Sequence, residues 1–197
     1  ALAKPARSVM IFDPMTGAKG LAQTRTETGH TQVYLQLRPD ESVILKTFDN
    51  ATAQADAWVY TKPEAGVIDI DQGWNVSFVE SEPAIPGTFA IDRLGSWTDL
   101  PHENAKINMG TALYSVTFTL PEGIDASERE LDLGDVRESA KVRINGRDAG
   151  TIIAIPFTAR VGRYREPGDN PLEVEVTGLP ANRIADYERR GVNWRIF

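Results

Sequence analysis

The run Ala140-Lys141-Val142-Arg143-Ile144-Asn145-Gly146 decides the fold class. Its first five residues alternate, with Ala140, Val142 and Ile144 on one side and Lys141 and Arg143 on the other, which is the two-residue period of a β-strand. Asn145-Gly146 then supplies the two positive φ angles of a type I′ turn, so the strand doubles back into a hairpin. A dry face and a wet face on the same strand mark an antiparallel sheet rather than a parallel sheet covered on both sides. Neighbouring segments repeat the pattern. Ala112, Tyr114, Val116, Phe118 and Leu120 share a face opposite Ser115, Thr117 and Thr119. Leu172 to Val176 alternates in the same way, with Glu173 and Glu175 on the side expected to be solvated. Trp74 to Val79, Glu130 to Leu133 and Phe157 to Val161 read as further strands, and Gly95 to His102, lacking any period, as a loop.

Towards the N-terminus the pattern shortens. Ser8 to Phe12 is a strand stopped by Asp13-Pro14-Met15-Thr16-Gly17, where Pro14 presets φ and Gly17 accepts a positive one. Leu21 to Thr26, Val33 to Leu37 and Val43 to Phe48 follow, separated by Thr28-Gly29 and Arg38-Pro39-Asp40-Glu41. Residues 1–50 therefore read as a short antiparallel meander, too small to close a sandwich that normally takes about seven strands. It is expected to pack on the rest of the chain or to be the tail of a preceding sandwich. Residues 51–56, within the small polar run Asp49 to Ala57, read as a linker. The second domain is expected over 57–197, opening with a strand at Trp58-Val59-Tyr60 and closing with a short helix over Pro180 to Arg190. The expected fold class is all-β: an antiparallel sandwich or jelly roll, preceded by the meander and followed by the helix.

Composition narrows the chemistry. The chain has 197 residues, 41% of them hydrophobic, enough for a real core. No apolar run approaches the ~20 residues that a spanning helix needs. A net charge of −7 with interleaved signs argues against a nucleic-acid partner, whose phosphates demand a basic face. The absence of cysteine excludes disulfides, thiolate nucleophiles and cysteine-ligated zinc. Ala1-Leu2-Ala3-Lys4-Pro5 lacks the basic-then-apolar pattern of a secretion signal, and the sequence reads as a processed or excised segment.

Several blocks resemble a known family. Leu94-Gly95-Ser96-Trp97-Thr98, Gly110-Thr111-Ala112-Leu113-Tyr114 and, most specifically, Leu131 to Gly146 resemble the sugar-binding, galactose-binding-like jelly roll of large bacterial glycoside hydrolases. Asn182-Arg183-Ile184-Ala185-Asp186 through Arg189-Arg190-Gly191-Val192 is similar to the C-terminal end of the rhamnosidase-type enzymes of glycoside hydrolase family 106. Asp13 to Gly17 and Arg38 to Ser42 resemble the sandwich segment just upstream in the same enzymes. The resemblance implies an accessory module of an exported bacterial hydrolase of rhamnose-containing glycans, partnered by carbohydrate and by the parent's catalytic barrel. It implies no catalytic residue here. The family's acidic catalytic residues lie on a barrel preceding this segment, and none matches a position in this chain.

Each candidate contact has a plainer alternative. Trp97, with Asp99 and His102 in the same loop, offers a flat apolar face and polar neighbours to a pyranose, or else packs as a core lid. Tyr114 shares a face with Val116 and Phe118 and is expected in the core. Arg137 and Glu138 break the apolar pattern at the start of a strand, as sugar contacts or as an ion pair with each other. Glycoside hydrolysis would need two carboxylates about 5–5.5 Å or about 6.5–9.5 Å apart. Glu80 with Glu82, or Asp99 with Glu103, are the sequence's candidates for a self-contained glycosidase. Asp186 and Glu188, beside Arg189 and Arg190, read as the charged face of the terminal helix. No cofactor is expected. His30 and His102 are too far apart for metal-ligand spacing, and a structural calcium at Asp13 or Asp135 has no supporting loop pattern.

Overall fold

The computed structural model describes residues 1–60, 67–120 and 129–195. The chain divides into two compact units, Ala1–Glu64 and Ala65–Phe197.

The first unit contains β1 (Ser8–Phe12), β2 (Lys19–Leu21), β3 (Thr24–Glu27), β4 (His30–Val33) and β5 (Ile44–Phe48). β1 is the middle of a three-stranded antiparallel sheet between β2 and β5, while β3 and β4 form a separate hairpin. Val9 and Ile11, both on the same face of β1, are each 1% exposed. The Asp13–Gly17 turn forms as its residues dictate: Asp13 Oδ1 accepts from the Met15 amide at 2.8 Å and Gly17 sits at φ 71°. Two expectations change here. Leu21 to Thr26 is two strands with different partners, and the β4 ladder ends at the pair Thr24–Val33, so Tyr34 to Leu37 lies outside it.

The stretch expected as a linker is tied into this unit. The Ser8 hydroxyl donates to Ala51 O and accepts from the Ala53 amide, both at 3.0 Å. Leu21 N donates to Asp56 O and Trp58 N to Leu21 O, each at 2.8 Å. The strand expected at Trp58–Tyr60 reduces to one parallel bridge between Leu21 and Ala57. Gly20 permits this approach, since a Cβ there would lie 2.7 Å from Trp58 Cα.

The second unit contains β6 (Trp74–Glu82), β7 (Thr88–Ile91), β8 (Met109–Thr119), β9 (Glu130–Asp132), β10 (Ser139–Ile144), β11 (Arg147–Ile152), β12 (Thr158–Arg160), β13 (Asp169–Thr177) and the helix α1 (Ala181–Arg189). Six strands form one antiparallel sheet in the order β11-β10-β13-β8-β6-β7. The inward positions expected on β6, β8, β10 and β13 line its dry face. Val76, Ala112, Ala140 and Val142 are fully buried, and Ile144 and Leu172 are 1% exposed. Each of the larger side chains contributes about 1.5–3 kcal/mol by leaving water. The antiparallel ribbon β9–β12 brings Leu131 and Ala159 onto the same core, and the segment between β7 and β8 adds Trp97, Leu100 and Ala105.

The Asn145-Gly146 turn forms with φ 52° and 73°, joining β10 to β11. Asn145 Nδ2 also donates to Tyr164 O and to Asn170 Oδ1, both at 2.9 Å. The wet face is less simply solvated than alternation suggests. Glu175 forms an ion pair with Arg143 diagonally across β10 and β13, the two side chains 23% and 29% exposed. On α1, Asp186 is not part of a solvated charged face. Arg183 and Asp186 are buried together, Arg183 donating to Asp186 Oδ2 at 3.2 Å and to Glu82 Oε1 at 2.9 Å while stacking over the Tyr187 ring.

Candidate functional site

At the end of the sheet where β10 begins and β13 ends, three loops meet. Glu138 N donates to Thr177 O at 3.0 Å and Gly178 N to Gly110 O at 3.2 Å, fixing the two chain segments side by side. Against them lies the 3-10 turn Trp97–Asp99, capped by the Ser96 hydroxyl, which accepts from the Thr98 amide. Its Trp97 is 8% exposed, with its ring 5.7 Å from that of Phe78. Trp97 is therefore a wall of the core in this structure, not a bared platform.

A concavity of about 1350 Å³ opens among these loops. Its floor is closed, since Trp74, Trp97, Tyr114 and Leu172, which border it, are no more than 8% exposed. What it offers to solvent is a rim. Leu94 and Leu179, 43% and 57% exposed, give the rim its apolar part, and Arg137, Glu138, Asp132 and Asn182 its polar part. Sugar recognition combines these two elements, an apolar surface and a few converging polar groups.

The five residues singled out in the sequence do not all gather here. Trp97, Arg137 and Glu138 border the concavity. Asp99 is exposed beside it, and its charge reaches the Tyr114 hydroxyl. That hydroxyl donates to Gly95 O at 3.3 Å, and burial first, then Asp99, pushes its pKa up to about 12. His102 serves the backbone instead. Its Nδ1 accepts from the Asn104 amide at 3.2 Å, capping the turn Glu103–Ile107, and its ring stands edge-on to Phe89. Arg137 pairs with Asp135 rather than with Glu138, through two bonds of 2.9 and 2.7 Å. This hydrogen-bonded guanidinium holds the Asp135 carboxyl below the usual carboxylate range. Leu94, Leu179 and Asn182 were not foreseen from the sequence. Exposed aliphatics and a lone Asn carry no periodic signal.

The carboxylate pairs weighed for hydrolysis, Glu80 with Glu82 and Asp99 with Glu103, do not border this concavity, and Glu82 is held by Arg183. Among the described residues no group of three or more Asp, Glu or His side chains is placed to hold a metal ion.

The fold defines a class, an antiparallel β-sandwich region with one short C-terminal helix, and its likeness to known proteins lies with glycoside hydrolases. No protein-family model matches the chain. Its relatives are specific nonetheless. A solved rhamnosidase from Novosphingobium sp. PP1Y superposes on 97% of this chain with a TM-score of 0.77 and 25% identity. A Formosa agariphila protein named "Putative beta-glucuronidase" is 36% identical over 127 residues, 60% of this chain. The chain spans 18% of the rhamnosidase and 11% of the Formosa protein.

Proposed function

We propose that the chain is a non-catalytic accessory region of a bacterial glycoside hydrolase of α-L-rhamnosidase type, and that it holds carbohydrate weakly at the rim around Arg137 and Glu138. The second unit is then a galactose-binding-like jelly roll, and the first is the tail of a preceding sandwich. The supporting observation is the extent of the match: nearly all of this chain follows a fifth or less of a rhamnosidase. An all-β scaffold of antiparallel sheets, with hydrolase relatives and a loop rim of mixed apolar and polar character, fits an accessory role. Export follows the same reading, as a bacterial polysaccharide-degrading enzyme meets its substrate outside the cytoplasm.

A second reading has its own observation. Trp97 is buried, which favours a scaffold that shapes the parent enzyme without gripping free sugar. Titrating the chain with rhamnose-bearing oligosaccharides, followed by amide NMR, separates the two. Saturable shifts in residues 94–98, 132–138 and 178–182 support binding. Silence over the panel leaves the scaffold. A third possibility, a glycosidase built from loop carboxylates, would require turnover of a glycoside by the chain alone.

A further inference from the structure

The rim has a sign. Asp69, Asp71, Asp132 and Glu138 all stand exposed around the opening. The exposed guanidinium among them, Arg137, is already matched by Asp135 through a two-bond pair. Arg129 and Glu130 enter the wall as adjacent opposite charges, and half-buried Arg165 sets one positive charge against the rest. Among the described residues that border it, the balance at the mouth is negative, as is that of the whole chain at −7.

Resting on the carbohydrate reading above, we propose that this concavity selects uncharged glycans and rejects uronic acids. A sugar carboxylate entering the mouth would stand near several like charges, while among the described residues that border it Arg137 is already paired with Asp135 and Arg165 is half-buried. In water each like charge at ~8 Å weakens binding by about twofold before screening. Three net charges therefore give roughly five- to tenfold discrimination at ~0.01 M salt, shrinking towards parity at ~0.5 M. The apolar rim of Leu94 and Leu179 suits the C–H face of a neutral sugar and gives a carboxylate no counter-charge.

The test uses the full chain and a matched pair of probes, an oligogalacturonide and its methyl ester, alongside neutral rhamnose-bearing oligosaccharides. The expected result is binding of neutral probes, with the ester roughly five- to tenfold tighter than the acid at low salt. The gap should close at high salt and narrow in the double variant Asp69→Asn, Asp71→Asn, two exposed positions outside the proposed contact set, with neutral affinity unchanged. Equal or tighter binding of the acid overturns the selectivity while leaving carbohydrate binding standing. No binding of any probe by a folded chain overturns the carbohydrate reading and this inference with it.

Discussion

Gly178 lies against the indole edge of Trp97 so closely that a Cβ at position 178 would stand 2.6 Å from Cη2 and 2.8 Å from Cζ2. The glycine is there for proximity. It joins β13 to the helix segment under a core ring that packs against Phe78.

Gly178→Ala is therefore expected to destabilise the second unit by about 1–3 kcal/mol, because a ring in a packed core has little room to retreat. Trp97→Ala should cost about 3–5 kcal/mol. Urea denaturation followed by far-UV circular dichroism measures both. If Trp97→Ala costs less than about 1 kcal/mol, the residue is a surface platform after all.

The buried cluster on α1 gives an asymmetric expectation. Arg183→Met should cost about 1–3 kcal/mol, since it leaves Asp186, whose side chain is 11% exposed, with the more exposed Arg190 at 3.3 Å as its remaining ion-pair partner among the described residues. Glu82→Gln should cost no more than about 1 kcal/mol, as Glu82 is 57% exposed. Thermal melts of the two variants side by side test the difference.

Much of this was legible in the sequence, and the exceptions have physical causes. Alternation fixed the inward set of β8, β10 and β13 because a strand in a one-sided sheet has only two faces to offer. Asn145-Gly146 could be placed because few residue pairs tolerate consecutive positive φ. What failed depends on partners distant in sequence. Asp56 reads as linker until Leu21 is known to bond to it. Asp186 reads as a solvated helix charge until Arg183 is seen bridging it to Glu82, 101 residues away in sequence. The site suffered most. An aromatic in an aperiodic loop reads equally as platform or lid, and Arg137 beside Glu138 suggests a pair that the nearby Asp135 pre-empts.

Asn170, fully buried, knits the turn region together. Its side chain accepts from Asn145 Nδ2 and the Glu166 amide and donates to Glu166 O and Gly168 O. Asn170→Leu should cost about 2–4 kcal/mol by leaving those groups unpaired. Amide exchange around Glu166 should accelerate in parallel.

Stability should fall at high pH through Tyr114. Its folded value of about 12 lies above the ordinary 10, so the folded state keeps the proton where the unfolded state loses it. The contribution, roughly 2–3 kcal/mol, is fully present below pH ~10 and is lost as pH rises towards ~12. Tyr114→Phe should flatten that decline, read as the pH dependence of the urea midpoint.

Whether this chain serves a glycoside hydrolase by holding carbohydrate at its loop rim is decided by an NMR titration of the intact chain with rhamnose-bearing oligosaccharides. The titration is repeated with Arg137→Ala and Glu138→Ala, both exposed positions outside the core. Saturable shifts confined to residues 94–98, 132–138 and 178–182 are expected, lost or weakened at least fivefold in the variants. Binding elsewhere on the fold, or a wild-type spectrum unmoved at millimolar oligosaccharide, would contradict carbohydrate binding at this rim.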